Sequence, residues 1–138
     1  MSLRLVGAYC LIFVTACAPA PEPATGGVPP GLPATFGSGV CAVEIPTGAS
    51  SGGIADAYDE ARNCRRAEAR RINTQHAEGR LSSATAAAAM IGLRADAYRD
   101  TDALHEIFRR LEPTAQDPIR QRLEIPGASE LTLDAPTS

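Results

Sequence analysis

Met90, Ala97, Leu104 and Leu111 recur at every seventh residue, and Leu93 and Ile107 fall at the intervening inner position. A repeat of this kind marks one face of a helix packed along another helix. The stretch starts at Ser82 or Ser83, either of which can act as an N-cap, and stops at Pro113, which cannot continue a helix. Phe108 lies beside the seam. Asp100 interrupts the inner position, and Asp100-Thr101-Asp102 can also cap a new helix starting at Ala103. The stretch therefore reads as one long helix or as two.

Upstream, Ile54, Tyr58, Ala61, Cys64 or Arg65, Ala69 and Ile72 keep helical spacing. Asp56, Asp59 and Glu60 sit in the first turns, where the helix dipole favours acids. Gly79 is a C-terminal stop just past Gln75-His76. A short turn between two such helices predicts an antiparallel hairpin. Folding about Arg80 brings Ile72 near Ala87 and Met90, Cys64 near Ala95, and Tyr58 near Tyr98 and Leu104. It also brings Ile54 near Ile107 and Phe108.

Around the hairpin, Ala42 to Ile45 reads as a short strand stopped by Pro46, and Glu130 to Asp134 as another. Asp117-Pro118 predicts the cap and first position of a short helix over Ile119 to Leu123. The likeness of Val43-Glu44-Ile45-Pro46 to Leu123-Glu124-Ile125-Pro126 fits two short strands or chance, and chance is the reading favoured. The fold class expected is mainly α: an antiparallel helical hairpin with short extra elements, spanning residues 41–134. Within that span only Tyr58, Tyr98 and Phe108 are aromatic, and the chain has no Trp. Its core must be built from Ala, Leu, Ile and Met, in a size range where stability is marginal. Residues 135–138 are expected to be a disordered tail.

The N-terminal portion has a different character. Arg4 precedes an apolar run from Leu5 to Phe13, too short to span a bilayer as a helix. Val14-Thr15-Ala16-Cys17 follows, and then the composition turns to Ala, Pro and Gly. An aliphatic residue, two small residues and a Cys at the end of an apolar run resemble the export signal of bacterial lipoproteins. The resemblance covers about 17 residues and implies a signal peptide over 1–16 that is removed, with Cys17 carrying the lipid. It also implies lasting attachment, because that class carries more than one acyl chain. With Ala18 rather than Asp after the Cys, it implies sorting to the outer membrane, facing the periplasm, in a host with two membranes. A second reading stays open: Ala16-Cys17-Ala18 also fits the cleavage site of a soluble secreted protein, although Pro19 disfavours it.

Residues 18–40 hold Pro19, Pro21, Pro23, Pro29, Pro30 and Pro33, with glycines among and after them. Such composition buries too little apolar surface to offset the entropy of ordering. Residues 17–40 are therefore expected to be the lipidated Cys and a disordered tether. It would reach roughly 70 Å as polyproline, or roughly 25–30 Å as flexible coil.

Of the four Cys, Cys10 lies in the removed portion and Cys17 is taken by lipid under this resemblance. Cys41 and Cys64 remain, in a compartment that favours oxidation, and form the expected disulfide; two buried thiols are the alternative.

Charge excludes one class of partner. All 13 basic residues are Arg; without Arg4 they number 12 against 16 acids, leaving no footprint for nucleic acid. Arg62, Arg66 and Arg70 recur every four residues on the first helix. They form a face for an anionic partner, or a solvated face balanced by Asp59, Glu68, Asp96 and Asp100. His76 and His105 lie on different helices, too few and too far apart for a metal site. Ser82 and Ser83 lack a nucleophile elbow, a base or an oxyanion loop and read as caps. No cofactor and no catalytic residue is expected. The functional expectation is a non-enzymatic scaffold or recruitment module for a periplasmic or outer-membrane protein. A binder or inhibitor of a cell-wall enzyme is the alternative, and a hydrolase ranks last.

Overall fold

A computed structural model of the chain describes Gly31, residues 34–124 and residues 131–134. The lipoprotein-like signal, Cys17, most of the tether and the tail at 135–138 lie outside the described residues. The elements in order are β1 (Thr35–Phe36), β2 (Val43–Glu44), α1 (Ser51–Ala77), α2 (Ser83–Arg110) and α3 (Asp117–Leu123). The architecture is mainly α, as expected. α1 and α2 form the antiparallel hairpin, and α3 packs on its open end. The two small strands pair antiparallel, with Phe36 opposite Val43.

Local chemistry sets the helix ends. Ser50 Oγ accepts from Gly53 N–H and Ser82 Oγ accepts from Thr85 N–H, so each long helix begins on a serine cap. α1 thus starts three residues before the expected Ile54. It ends where Gly79 adopts a φ of 71°, and Arg80 and Leu81 N–H both return to the Gln75 carbonyl. α2 runs unbroken through Asp100-Thr101-Asp102 to Arg110. Past its end, Gln116 Nε2 donates to the Phe108 and Leu111 carbonyls at 3.3 and 3.0 Å, satisfying acceptors that a helix terminus leaves open. In α3 the cap position is Gln116, so Asp117 and Pro118 each lie one place further into the helix than expected.

The interior falls into two apolar clusters. One joins Ile54, Tyr58 and Ala61 of α1 to Leu104 and Ile107 of α2, with Phe36, Ile45, Leu111 and Ile119 closing it. The other joins Ala69 and Ile72 to Ala86, Met90 and Ala97, with Leu131 laid across them. Small alanines on both helices let the backbones approach closely, which replaces the bulk that a core poor in aromatic residues lacks.

Between the clusters lies a polar layer. Arg65 of α1 and Asp100 of α2 are 2% and 3% exposed and form an ion pair. Asp100 Oδ2 also accepts the Gly37 N–H at 2.8 Å. One turn earlier on α2, Asp96 accepts the Ser38 hydroxyl and pairs with Arg99. Of the two readings of this stretch, one long helix is the one adopted, because the Asp100 carboxylate has partners on α1 and at Gly37 and does not turn back to cap a new helix.

Several expectations are corrected. The packed body begins before Cys41: Phe36, assigned to the disordered tether, has no exposed surface and stands edge-on to Tyr58, ring centroids 5.4 Å apart. Gly37 turns the chain with a φ of 72°, so close to the next turn that a Cβ there would lie 2.0 Å from the Cys41 carbonyl oxygen. Proline-rich composition hid this because one aromatic anchor and one glycine suffice to order a short segment. Residues 131–134, expected as a strand, are irregular, since their backbone groups go to side chains of the two helices. Tyr98, expected against Tyr58, is 63% exposed on the outer side of α2. Tyr58 meets Phe36 instead and reaches Thr101 Oγ1 at 3.2 Å.

Cys41 and Cys64 form the disulfide, joining the turn after β1 to the middle of α1. Two outcomes are expected. Asp100→Ala, which leaves Arg65 buried without its carboxylate, should lower unfolding free energy by about 3–5 kcal/mol, whereas Arg65→Met with Asp100→Leu should recover most of the loss. Urea unfolding of the three chains measures this, and equal loss in the single and double variants would refute it. Reduction of the disulfide should cost about 3 kcal/mol and lower the melting temperature by roughly 10 °C or more. An unchanged thermal transition after reduction would show that the cross-link constrains nothing the helices do not already hold.

Candidate functional site

The arginine stripe does not form a uniform face. Arg62 is buried, Arg66 is half-buried and Arg70 is exposed. The carboxylates expected to balance it have partners elsewhere. Asp96 and Asp100 belong to the polar layer. Asp59 accepts from Arg122 Nε of α3 at 2.8 Å, and Glu68 accepts from Arg71 Nε at the same distance. That hydrogen bond holds the Glu68 carboxyl below the ordinary glutamate range, against a smaller opposing effect of burial. Its stabilising contribution is present at neutral pH and is lost as the pH falls through the lowered value. Glu106 is held down in the same way by Arg109 and Arg110 on α2.

What the stripe does line is a groove. Arg66, Ala69, Arg70 and Asn73 of α1 face Thr132 and Asp134 across an open depression of about 410 Å3. The opposite wall exists because both helices grip the chain at 131–134. Asn73 Nδ2 donates to the Thr132 carbonyl at 3.1 Å, and Asn73 Oδ1 accepts from Asp134 N–H at 3.3 Å. Its carboxamide thereby acts as a neighbouring strand would. From the other side, Arg94 Nε donates to the Leu131 carbonyl at 2.6 Å. Leu131 drops between the helices and is 2% exposed, with Leu133 packed beside it.

Two guanidiniums in a groove suit the planar acceptors of a carboxylate or a phosphate. Asp134 across the groove offsets part of that charge. It holds no nucleophile beside a base. His76 Nε2 lies 3.0 Å from Ser83 Oγ across the interhelical turn, where the contact joins the end of α1 to the start of α2. His105 is exposed on α2, and Asp56 of α1 lies 3.9 Å from Arg122. Among the described residues no group of three or more His, Cys, Asp or Glu could hold a metal ion. No described helix is long and apolar enough to cross a membrane.

Of the residues singled out from sequence, the structure brings together Cys41 with Cys64, and Arg66 with Arg70. Arg62 is set apart by burial, and Cys17 lies outside the described residues. Asn73 and Arg94 were missed. The available signal was a polar residue one place from the inner line of each helix, beside Ile72 and Leu93. Comparison with protein-family models, curated proteins and solved structures finds no match.

The grip on 131–134 is testable. Asn73→Ala and Arg94→Ala should each raise amide hydrogen exchange at 131–134 by about tenfold, the effect of losing roughly 1.4 kcal/mol of hydrogen bonding, with exchange in α1 and α2 changed little. Exchange that rises equally throughout both helices would instead make the two side chains general supports of the hairpin.

Proposed function

We propose that this chain is a cell-envelope lipoprotein, anchored through lipid on Cys17, that acts as a non-enzymatic scaffold or recruitment module. Its partner is a periplasmic or outer-membrane protein. The observation that carries the proposal is Val14-Thr15-Ala16-Cys17 at the end of a short apolar run. The Cys41–Cys64 cross-link supports it, since disulfides persist in exported proteins and are rare where thiols are kept reduced. The small size of the helical body supports recruitment, because such a body offers faces and a shallow groove rather than an enclosed cleft. Arg70, exposed at the groove beside Arg66, is the basic residue proposed to meet an anionic segment of the partner. The proline-rich stretch before Ala34 would separate body from bilayer by about 20–24 Å when coiled.

Cys17→Ser tests the anchor. The parent should take up labelled fatty acid and sediment with membranes; the variant should lose the label and appear in the soluble fraction. A variant that still sediments as the parent does would refute lipid anchoring at this residue. Chemical crosslinking in the intact envelope tests the scaffold role. Recovery of a stable larger assembly supports it, and recovery of a single muramidase or peptidase overturns it in favour of an inhibitor.

A further inference from the structure

The outer side of α2 is unusual for a hairpin helix. Ala84, Ala88, Ile91, Ala95 and Tyr98 follow one another at spacings of four, three, four and three residues, all exposed. The spacing is that of a helix-pairing seam, and it lies opposite the buried line of Ala86, Met90, Ala97 and Leu104. Ile91 and Tyr98 are 64% and 63% exposed, two of the three large apolar side chains left open on the described surface. The outer side of α1 shows the ordinary pattern instead, with Asp56, Glu60, Asn63, Arg70 and Thr74 facing water and Ala67 the one apolar residue among them. The apolar stripe stops at Asp102, beyond which His105 and Arg109 continue the same line as polar groups. From Ala84 to Asp102 it is roughly 27 Å long at about 1.5 Å per residue.

We propose that this stripe is a self-association surface, on which a second copy of the chain packs its own α2 antiparallel about a two-fold axis through Ile91. The order of side chains points to that occupant. With Ile91 against the partner's Ile91, Tyr98 lies over the partner's Ala84, Ala95 faces the partner's Ala87, and Ala88 comes beside the partner's Arg94. Tyr98 then meets a small residue at each end of the seam, and the two Ile91 side chains meet each other on the axis. Charge agrees with the same direction. Asp102 falls beside the turn that carries the partner's Arg80, which is itself exposed and already paired with Glu78 within its own chain. A parallel arrangement would set Tyr98 against its own copy, leave the alanine end unfilled, and place Arg94 near the partner's Arg99. A two-fold contact is self-complementary, the property this sequence of residues has. The seam is short beside a standard protein interface, so the association is of the weak, concentration-dependent kind. It does not depend on lipid anchoring.

Cysteine crosslinking of the full chain in its native envelope tests both occupant and direction. On mild oxidation Ile91→Cys should give a band of twice the chain's mass, well above parent and above Glu60→Cys on the outer side of α1. Ala84→Cys and Tyr98→Cys should each crosslink poorly alone and readily when two differently tagged copies are expressed together. A product of another mass would assign the stripe to a different partner. Equal crosslinking of Ala84→Cys or Tyr98→Cys alone and in the mixture would overturn the antiparallel direction. Sedimentation of the purified parent chain, which needs no substitution, should show monomer passing to dimer with concentration, and Ile91→Asp should weaken that step by roughly a hundredfold. Monomer throughout, up to about 1 mM, would refute the proposal.

Discussion

The buried contact of Asp100 with Arg65 and Gly37 is the constraint on which the rest of the structure depends. Removing two charges from water is costly, and their attraction repays it only when geometry is good and the remaining hydrogen-bonding capacity is filled. Here one carboxylate oxygen takes a guanidinium from α1 and a backbone N–H from the N-terminal turn. The layer lies between the two apolar clusters, where a slip of either helix by one turn would strand a charge against alanine or leucine. Apolar contacts between alanine-rich helices change little in energy on such a slip, whereas a buried ion pair loses its partner. Register is therefore set at the polar layer, while stability comes from the clusters on either side.

The same contact explains how so short an N-terminal segment is held. β1 and β2 are two residues each, and an isolated pair of that size is not stable in water. Phe36 supplies the apolar anchor, Gly37 and Ser38 attach to successive turns of α2, and Cys41 attaches to α1 through Cys64. The cross-link shortens the search for these contacts in the unfolded chain, and the positive φ of Gly37 allows the turn that makes them possible. Each attachment is modest, and together they bring the segment against both helices.

Local patterns made the hairpin legible from sequence. The sevenfold recurrence from Met90 to Leu111, the serine caps, Gly79 and the Cys pair all report on neighbours a few residues away, or on a compartment. Phe36 was not legible because it stands in a segment whose composition argues for solvent. The burial of Leu131 was not legible either, because, like that of Phe36, it comes from residues far along the chain. Asp100 carried a signal with two meanings: an acid on the inner line of a helix can cap a new helix or can meet a buried partner. Arg65, the alternative to Cys64 on the inner line of α1, was that partner. Likewise the Arg62, Arg66 and Arg70 stripe was visible as a repeat. Its division into buried, half-buried and exposed members was not, since that depends on how the turn at Gly37–Cys41 and the segment at 131–134 cover α1.

α2 is then a helix with two apolar lines on opposite sides and a charged end. A helix that is apolar around most of its circumference is ordinarily one that is covered around most of it. The inner line is covered by α1, Phe36 and Leu131. The outer line carries the larger entropic demand for cover, because Ile91 and Tyr98 order water while the alanines between them offer nothing to hydrogen-bond it. A tether and an anchor, if Cys17 carries lipid, would confine neighbouring copies to one surface and raise their effective concentration, the condition under which a short, weak seam becomes occupied. Two anchors on one assembly would in turn hold the membrane more firmly than either alone. Pairing and anchoring reinforce each other in this arrangement without sharing a single residue.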